Sequence, residues 1–412
     1  MRIWIINHYA APPTMAGGTR HYNFARELMK RGHEVCLIAS NYNHFSHHFI
    51  KTDVPLGEMD YQSEVPFIWI PTPPYQGNTI KRFKNIVTFS YRLLLKKYLS
   101  RNAPPDVIIG SSPHLFAAFA GELLARRLNV PFVLEVRDLW PAVLVDLGMS
   151  PNHPMIKLMQ WMERYLYQRA KHIITLLPNA DTYLQQFSVA PNKITWLPNA
   201  ANLDEIPQQI QQKVSNKFTI MYAGTHGLAN DLETVILAAQ ILEQKNLAHS
   251  IRICLIGDGP EKSRLQKLAA RTNLTMVEFM DPVSKKDIYS VLNQADAYVI
   301  LLTDSPAFRW GISPNKLFDY LAMGRPIIFG INTPFNPIEK YRAGISIKPN
   351  DPTSLADAIE KLSVLPQHEL DEMGKRGNAF VRKNHHLTHL TDTLEALLVN
   401  LNNESELSIQ VP

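Results

Sequence analysis

The sequence predicts an α/β fold built from two parallel sheets, each covered by helices on both faces. Short apolar runs alternate with amphipathic helical patterns along most of the 412 residues. The runs are continuous rather than alternating in polarity, as in strands that are buried on both faces. They form two complete series, which is too many for one compact sheet. We therefore expect two Rossmann-like domains that face each other across a cleft, with ligands at the carboxyl ends of the strands.

The first series predicts an N-terminal domain over residues 1–197. Its strands read "RIWII", "EVCLIA", "DVIIG" and "PFVLEV". Between them we predict helices over residues 19–31 and 115–128, each with one apolar face. The two domains are expected to join near residues 195–205.

The second series predicts a C-terminal domain over residues 198–380. Its strands read "FTIMYAG", "IRICLIGDG", "TMVEF", "AYVILL" and "PIIFG". Helices are expected from Asp231, from Pro260, over residues 284–295 and after Ser313. A last helix over residues 381–401 is expected to pack back on the N-terminal domain, followed by a frayed polar tail at 402–412.

Composition narrows the classes of protein. A net charge of +5 is small for this length and does not indicate nucleic acid. Cys36 and Cys254 each lie in an apolar run that reads as a buried strand, which favours a reducing compartment. We find neither a signal-peptide pattern in "MRIWIIN" nor an uncharged apolar run of about 18 residues. The expectation is a cytoplasmic protein.

The stretch "SPNKLFDYLAMGRPIIFG" carries the strongest chemical signal. Ser313 suits an N-cap, Pro314 the first helical position, and Gly324 a left-handed stop. Lys316 then lies in the first turn, where the helix dipole repels cations. Either it is a solvated residue that tolerates about 0.3–1 kcal/mol, or an anion such as a diphosphate binds there.

Neighbouring residues extend this predicted anion site. Arg309, in the loop before the helix, supplies a second cation. Asp319 either accepts a hydrogen bond from a sugar hydroxyl or pairs with Lys316 at i,i+3. The pair Gly17-Gly18 precedes the first helix and either lets backbone N–H groups approach an anion or is only a turn.

Two charges follow the strand "PFVLEV". Arg137 and Asp138 either face the predicted cleft or form an ordinary salt bridge at the end of the sheet. The chain lacks G-x-G-x-x-G, which argues against a dinucleotide-dependent dehydrogenase. It also lacks metal-ligand histidine spacing, a G-x-S-x-G elbow and a P-loop.

Eight short segments, spread over nearly the whole chain, are informative through their order and spacing. They are the Gly17-Gly18 loop, "RGHEV", "GSSPH", "EVRDLWP", "LPNA", "YAG", "GDGPE" and "SPNKLFDYLAMGRP". Together they resemble the retaining GT-B glycosyltransferases of the glycogen-synthase-like group (family four). The resemblance is nearest to bacterial enzymes that build O-antigen, capsule and other surface polysaccharides.

The resemblance implies that the C-terminal domain binds a nucleotide-sugar, with UDP as the default nucleotide. The N-terminal domain would bind a saccharide or polyprenyl-linked acceptor, and transfer would retain the anomeric configuration. No side-chain nucleophile is implied, because the departing diphosphate oxygen helps to deprotonate the acceptor.

Site residues follow from the matching motifs. The implied donor contacts are Gly17, Gly18, Gly224, Phe279, Val283, Arg309, Ser313, Pro314, Asn315, Lys316, Leu317 and Asp319. The implied acceptor contacts are Arg20 and His114, and the implied catalytic residues are Lys316, Arg137 and Asp138. Neither a cofactor nor a metal is expected, since no acidic metal-binding cluster is visible.

The chain departs from the family pattern at three places. Gly311 stands where relatives carry the first of two paired glutamates, and Asp319 stands at the second. Arg137 replaces a histidine that many relatives carry. The segment "THGLAND" lacks the Arg and Lys of relatives and offers only His226 as a cation, so Lys316 becomes the main substitute. Arg137 could instead serve the acceptor.

Residues 81–101 predict a basic amphipathic helix. They contain seven basic residues and no acidic one. Phe83, Val87, Tyr91, Leu94 and Tyr98 share one face of the helical projection. Either this face lies on an anionic membrane surface, or it is buried in the domain's own core.

Two other functions remain open on the sequence. One is a non-hydrolysing nucleotide-sugar 2-epimerase of the same fold, which would need carboxylate acid/base groups that the motifs scarcely offer. The other is a catalytically silent GT-B binding or scaffold protein, which the missing glutamate keeps open.

Overall fold

The computed structural model describes residues 1–15, 17–77, 80–206, 215–284 and 287–410. It separates into two compact units. Unit 1 comprises Met1–Pro198 together with Leu387–Pro412, and unit 2 comprises Asn199–His386. Each unit contains its own sheet, as the two apolar series predict.

Unit 1 alternates strands and helices from its first residues onward. Its elements are β1 (Arg2–Ile6), α1 (Arg20–Lys30), β2 (Glu34–Ser40), β3 (Met59–Asp60), β4 (Phe67–Ile70), α2 (Ile80–Leu93), α3 (Lys96–Leu99), β5 (Val107–Ser111), α4 (Leu115–Leu128), β6 (Phe132–Val136), α5 (Ala142–Asp146), α6 (Pro154–Arg169), β7 (His172–Thr175), α7 (Ala180–Gln185) and β8 (Ile194–Trp196).

The sheet of unit 1 runs in the order β3-β4-β2-β1-β5-β6-β7-β8. All neighbouring strands are parallel except β3, which pairs antiparallel with β4. The central strand β1 is buried on both faces, with Ile3 opposite Val35 on one side and Val107 on the other. The carboxyl ends of these strands therefore form one edge on which loop residues gather.

Unit 2 repeats the same alternation. Its elements are β9 (Phe218–Ala223), α8 (Leu232–Gln244), β10 (Ile251–Ile256), α9 (Lys262–Arg271), β11 (Val277–Met280), α10 (Ile288–Leu292), β12 (Ala297–Leu301), α11 (Asn315–Ala322), β13 (Ile327–Gly330), α12 (Pro337–Lys340), β14 (Gly344–Ser346), α13 (Pro352–Ser363) and α14 (Gln367–Asn384). Its sheet is parallel, in the order β11-β10-β9-β12-β13-β14.

Two predicted helices have clearly different bounds in the structure. The predicted helix over 284–295 is the shorter α10, and Lys285 and Lys286 lie outside the described residues. The predicted basic helix over 81–101 is divided, because α2 ends at Leu93 and α3 begins at Lys96. The apolar face predicted for this helix is not the face that packs into the core. The buried residues of α2 are instead Asn85, Phe89 and Leu93.

The end of the chain returns to unit 1. The final helix α15 (Leu387–Gln410) packs on α1, where Arg31 pairs with Asp392 and with Glu395, both at 2.7 Å. The predicted helix over 381–401 therefore straddles a break, since α14 ends at Asn384. The frayed tail was predicted to begin at 402, but α15 continues to Gln410. Neither glycine nor proline interrupts the helix before that residue.

Candidate functional site

The carboxyl edge of the unit 2 sheet brings α11 against β9. Tyr320, on the buried face of α11, lies with its hydroxyl 2.6 Å from the N–H of Ala223, the last residue of β9, which donates to it. Tyr320 in turn lies 3.2 Å from the carbonyl oxygen of Ala223. This pair of hydrogen bonds holds α11 beside the end of β9.

Helix α11 begins one residue later than the sequence predicts. Pro314 has extended backbone (φ −72°, ψ 132°) and is the N-cap, so Lys316 is the second helical residue. Ser313 does not cap the helix. Its Oγ accepts a hydrogen bond from the N–H of Asn199 at 3.0 Å, and its carbonyl accepts from the Asn199 amide. Gly324 stops the helix at φ +68°, as predicted.

The ammonium group of Lys316 turns inward over β9. Its Nζ donates to the Tyr222 hydroxyl at 2.7 Å and to Asn230 Oδ1 at 2.9 Å, and lies 4.2 Å from the centroid of the Tyr222 ring. Gly224 makes room for it, because a Cβ there would lie 3.0 Å from Nζ. Tyr222 and Asn230 were missed by the sequence reasoning, although both lie in motifs that it quoted.

Burial controls the charge of this amine. It lowers the pKa of Lys316 to about 7, and no carboxylate in the described part of the chain pairs with it. The alternative in which Asp319 pairs with Lys316 is therefore wrong. Asp319 instead accepts a hydrogen bond from the Tyr289 hydroxyl at 2.9 Å. The hydrogen-bond partners of Lys316 are both neutral. Because burial penalises an unpaired charge, a charged amine at this position is stabilised by a bound anion.

The residues at the N-terminus of α11 differ in their exposure to solvent. Leu317 is fully buried, and its N–H donates to the Pro314 carbonyl at 3.1 Å. Its predicted contact with the donor stays a prediction. Asn315 is exposed. The N–H groups of Asn315 and Lys316 lie in the first turn, where intrahelical acceptors are absent.

His226 lies in the loop between β9 and α8. The ring is fully buried, and burial lowers its pKa, with Lys262 adding to the effect, so the histidine is neutral rather than the cation that the sequence allowed. Neither ring nitrogen has a partner within the described residues. Gly259 packs directly on this loop, since a Cβ there would lie 2.5 Å from the His226 carbonyl oxygen.

The remaining predicted donor residues of unit 2 lie along the same sheet edge. Phe279 is on β11 with its ring centroid 6.2 Å from that of His226, and Val283 follows the strand and packs on the core. Arg309 lies in the 3₁₀ turn Pro306–Trp310 and donates to the Pro306 carbonyl at 2.7 Å. It lines a cavity of about 570 Å³ that Lys316 does not line.

In unit 1, a buried ion cluster occupies the carboxyl end of β6. Glu135 accepts from Arg20 Nε at 2.8 Å and from His21 Nε2 at 2.6 Å. Burial alone would raise the pKa of Glu135, but His21 and Arg20 outweigh it and hold the pKa well below its usual range. Arg20 also donates to the carbonyls of Leu197 and Pro198. Each of its three guanidinium nitrogens thus has a partner within unit 1, and the predicted contact of Arg20 with the acceptor stays a prediction.

His114, the other residue predicted to contact the acceptor, is buried in unit 1, and that contact stays a prediction. Its Nδ1 caps α4 by accepting from the N–H of Ala117 at 3.3 Å, and its Nε2 lies 2.8 Å from His8 Nδ1. Both ring nitrogens are thus bonded inside unit 1. Glu135 and His8 were missed as partners; a charged residue inside the apolar run "PFVLEV" was the available signal for Glu135.

Four predicted residues of unit 1 stay accessible. Arg137 is half-buried, with its N–H 3.3 Å from Ser112 Oγ, and Asp138 is exposed. Gly17 has φ +153°, a conformation that favours glycine. Gly18 has open space around its Cα, with nothing within 4 Å of an added Cβ. Their predicted contacts with substrate stay predictions.

Comparison with known proteins agrees with this architecture. Residues 16–200 match the glycosyl transferase 4-like domain family, and residues 217–363 match the glycosyl transferases group 1 family. The chain belongs to the GT-B glycosyltransferases and is an enzyme of the hexosyltransferase type.

Individual relatives are distant. Over 313 residues, 72% of this chain and 75% of the relative, it is 25% identical to a protein of Escherichia coli strain K12 assigned to colanic acid biosynthesis as glycosyl transferase WcaI. Sucrose-phosphate synthase from Thermosynechococcus elongatus has a similar structure, with a TM-score of 0.75, 16% identity, and coverage of 97% of this chain and 98% of that one. HepE from Anabaena, solved with UDP and glucose, has a TM-score of 0.68, 13% identity, and coverage of 96% and 99%.

Proposed function

We propose that this glycosyltransferase moves a sugar from a nucleotide diphosphate donor, with UDP as the nucleotide, and retains the anomeric configuration. The proposed acceptor is a saccharide or polyprenyl-linked saccharide of a bacterial surface polysaccharide such as O-antigen or capsule. The assignment of WcaI to colanic acid biosynthesis and the UDP bound to HepE support this choice.

The observation that carries the proposal is the environment of Lys316. A phenol, an amide and the backbone of Gly224 enclose this amine, and it has no counter-ion among the described residues. The first-turn N–H groups of α11 add partial positive charge to the same place. A diphosphate supplies the negative charge that both features lack.

The chemistry then needs little besides positioning and charge. The bond between the anomeric carbon and the diphosphate oxygen breaks, and the acceptor oxygen forms the new bond on the same face. The acceptor proton passes to the departing phosphate oxygen. Lys316, charged beside the diphosphate, stabilises the negative charge that develops there. No step requires a metal, and we propose that activity is independent of magnesium.

Other residues receive supporting roles in this proposal. Phe279 and Val283 border the base, Asp319 binds a sugar or ribose hydroxyl, and Arg309 extends the positive charge. In unit 1, Gly17 and Gly18 offer backbone N–H groups, and Arg137 with Asp138 serves the transfer or the acceptor. The partly buried positions of Phe279 and Val283, and the accessibility of Arg137 and Asp138, support these roles.

A membrane surface is part of the proposal. On α2, Ile80, Phe83, Val87 and Tyr91 form an exposed apolar stripe, with Ile80 87% and Tyr91 63% exposed. The basic residues of 81–101 accompany it without an acidic residue. Such a combination suits an anionic bilayer. We propose a cytoplasmic enzyme that associates with the inner face of the cytoplasmic membrane.

The stripe continues onto neighbouring helices of unit 1. Phe83 contacts Phe116 of α4 at 5.7 Å between ring centroids. Phe119, also on α4, lies 5.5 Å from Trp161 of α6, which is 54% exposed. Within the described residues, no helix has both the length and the apolarity to cross a membrane.

The decisive experiment removes the amine. We expect Lys316→Met to lower kcat/KM for the donor by about 2 kcal/mol or more, roughly 30-fold. The donor would be chosen by saturation binding of UDP-, GDP- and dTDP-sugars, and transfer followed with a labelled sugar. Lys375→Met serves as the control, because that lysine is exposed and pairs with Glu372 on the surface of α14.

Three outcomes would contradict the proposal. Near-wild-type turnover in Lys316→Met would show that the diphosphate does not bind beside this residue. Recovery of epimerised donor without transfer would favour a 2-epimerase. If neither sugar transfer nor slow release of nucleoside diphosphate is detected with any donor, a silent binding protein would be favoured.

A further inference from the structure

The loop that follows β9 holds a lysine that it does not itself supply. Residues 224–231 contain neither arginine nor lysine. Two acceptors receive the Lys316 amine, which comes from α11: the Tyr222 hydroxyl near the end of β9, and Asn230 Oδ1 in the 3₁₀ turn Leu228–Asn230. We call these two acceptors the lysine cradle.

The Tyr222 hydroxyl has a fixed direction of hydrogen bonding. It lies 2.8 Å from the carbonyl oxygen of Thr225, which can only accept, so the phenolic proton points to Thr225. The phenolic oxygen is then the acceptor for Lys316 Nζ at 2.7 Å. Tyr222 is fully buried, and burial raises the pKa of its hydroxyl, so the phenol stays neutral. It therefore gives the amine a lone pair and no charge.

Asn230 completes the cradle with a second neutral acceptor. An ammonium group can only donate, so the amide oxygen of Asn230 faces Nζ, at 2.9 Å. Two of the three N–H groups of the ammonium thus point to the cradle. A third hydrogen-bond partner of Nζ is not present among the described residues. The cradle leaves one donor for an anion.

The titratable side chains around the amine do not balance its charge. On the elements next to it they are Tyr222 on β9, His226 and Asp231 in the loop after β9, and Asp319 and Tyr320 on α11. Burial lowers the pKa of His226 and raises the pKa of Tyr222 and of Tyr320, so all three are neutral. Neither carboxylate contributes to the pKa of Lys316, which burial alone lowers.

We propose that Tyr222 and Asn230 are positioning residues for donor binding, which hold the Lys316 ammonium by hydrogen bonds and leave its charge for the diphosphate. This inference rests on the proposed glycosyltransferase function. The segment "THGLAND" can lack arginine and lysine because its loop holds a cation that α11 supplies. Gly224 belongs to the same arrangement, since a Cβ there would lie 3.0 Å from Nζ.

Donor affinity of the full chain, measured against pH, tests the role of Tyr222. The probe is UDP-glucose, or the GDP- or dTDP-sugar that saturation binding selects in its place. The diphosphate of these donors keeps its charge over about pH 5.5 to 8.5, so a pH dependence reports on the protein. Tyr222→Phe removes one acceptor from the ammonium and should lower the pKa of Lys316 by roughly one unit. We therefore expect binding within about threefold of the wild type at about pH 5.5, and roughly tenfold weaker at pH 8.

Tyr298→Phe is the matched control. Tyr298 on β12 is also fully buried, and its hydroxyl donates to the carbonyl of Leu292 at 2.9 Å, but it is not a partner of Lys316. This variant should keep the wild-type dependence on pH. An equal loss of affinity at both pH values in Tyr222→Phe would indicate a structural role alone and would overturn the proposal, as would an unchanged profile.

Asn230→Asp tests whether the cradle must be neutral. A carboxylate keeps an acceptor oxygen beside Nζ and adds a negative charge, which raises the pKa of Lys316. We expect affinity to stop falling with pH up to about pH 8.5, and to be roughly tenfold weaker than in the wild type at pH 5.5, because the diphosphate then meets an ion pair. Asn273→Asp, at an exposed position after α9, adds the same charge elsewhere in unit 2 and should change neither value. Tighter donor binding at pH 5.5 by Asn230→Asp than by the wild type would refute the requirement for neutrality.

Lys316→Met separates failure of this inference from failure of the proposed function. If Lys316→Met binds the donor as tightly as the wild type does, the proposed function and the cradle both fall. If Lys316→Met weakens binding while Tyr222→Phe keeps the wild-type pH profile, the proposed function stands and the cradle alone is refuted.

Discussion

Lys316 shows at the scale of one residue what a sequence can and cannot reveal. A lysine in the first turn of a helix is visible in "SPNKLFDYLAMG", and its conflict with the dipole indicates an anion. Its partner Tyr222 lies 94 residues earlier in the chain. That contact exists only because β9 and α11 meet at one sheet edge, which no local pattern reports.

Donor affinity should depend on pH through this amine. Burial lowers the pKa of Lys316 to about 7 from 10.5, so the amine of the free enzyme loses its proton as pH rises through 7. A bound diphosphate raises the pKa, and binding above pH 7 must take up a proton. We expect UDP-sugar affinity to be constant below pH 7 and to fall towards tenfold per unit from pH 7 to 9.

Calorimetry in buffers of different ionisation enthalpy measures this proton uptake directly. In Lys316→Met, both the proton uptake on binding and the fall in UDP-sugar affinity with pH should disappear. The same affinity at pH 7 and pH 9 in the wild type would show that the amine does not meet the diphosphate.

Arg20 and His114 show at this scale that a matched motif does not reveal a residue's partners within the protein. Both lie in motifs that resemble those of relatives, and both were predicted to contact the acceptor. The structure bonds Arg20 to Glu135 and to two carbonyls, and His114 to His8 and α4. A buried polar side chain must satisfy its hydrogen bonds inside the protein, and this requirement has no local sequence signal.

At the scale of elements, the long continuous apolar runs predicted strands, and most of the strands that were missed are short. The predicted strands at Ile3, Ile220 and Val299 are present with nearly the predicted bounds, since burial on both faces leaves a clear pattern. Strands β3, β4, β7, β8 and β14 have four residues or fewer and were not predicted, whereas β11 and β13, each of four residues, follow predicted apolar runs. The strands that were missed are positioned by pairing with a neighbouring strand, which a short run does not encode.

Helix α11 is kept in place by α14. Asn378 of α14 donates to the carbonyl of Ala322, the last residue of α11. Gly374 lets the two backbones approach closely, since a Cβ there would lie 1.9 Å from the Gly324 carbonyl oxygen. The position of Lys316 therefore depends on a contact at the opposite end of its helix.

Gly374→Ala tests this contact. Alanine improves helix propensity by about 1 kcal/mol, but the clash with backbone should outweigh the gain and destabilise unit 2 by about 1–3 kcal/mol. Calorimetric melting of the full chain measures the change. Gly377→Ala on the same helix is the control, because its Cβ would meet a flexible side-chain atom, Leu321 Cδ2, at 2.8 Å. A higher melting temperature for Gly374→Ala than for the wild type would show that the contact is not tight.

At the scale of the whole molecule, each unit follows the alternation predicted for it, while the surface of unit 1 could not be predicted. The sequence left open whether Phe83, Val87 and Tyr91 face a membrane or the core. The structure shows these side chains exposed, and Asn85 and Phe89 buried in their place. Choosing the buried face required knowing that Asn85 bonds His8, a residue 77 positions away.

Vesicle binding of the intact protein tests the proposed membrane surface. We expect Ile80→Ser with Tyr91→Ser to weaken binding to anionic vesicles of phosphatidylglycerol roughly tenfold, because burying two large apolar side chains contributes about 1.5 kcal/mol or more. Tyr61→Ser with Leu228→Ser, two equally exposed side chains at 73%, should leave binding unchanged. Equal loss in both pairs, or equal binding to neutral phosphatidylcholine vesicles, would refute the assignment.

The return of α15 to unit 1 has a consequence for synthesis on the ribosome. Unit 2 is one uninterrupted stretch, whereas unit 1 lacks its last helix until translation has passed Leu387. Until then the surface of α1 that receives α15 is uncovered, including the Arg31 that awaits two acidic partners. Unit 2 can therefore complete its fold before unit 1, although unit 1 begins earlier in the sequence. Until α15 is made, the uncovered face of α1 is the surface that a chaperone would bind.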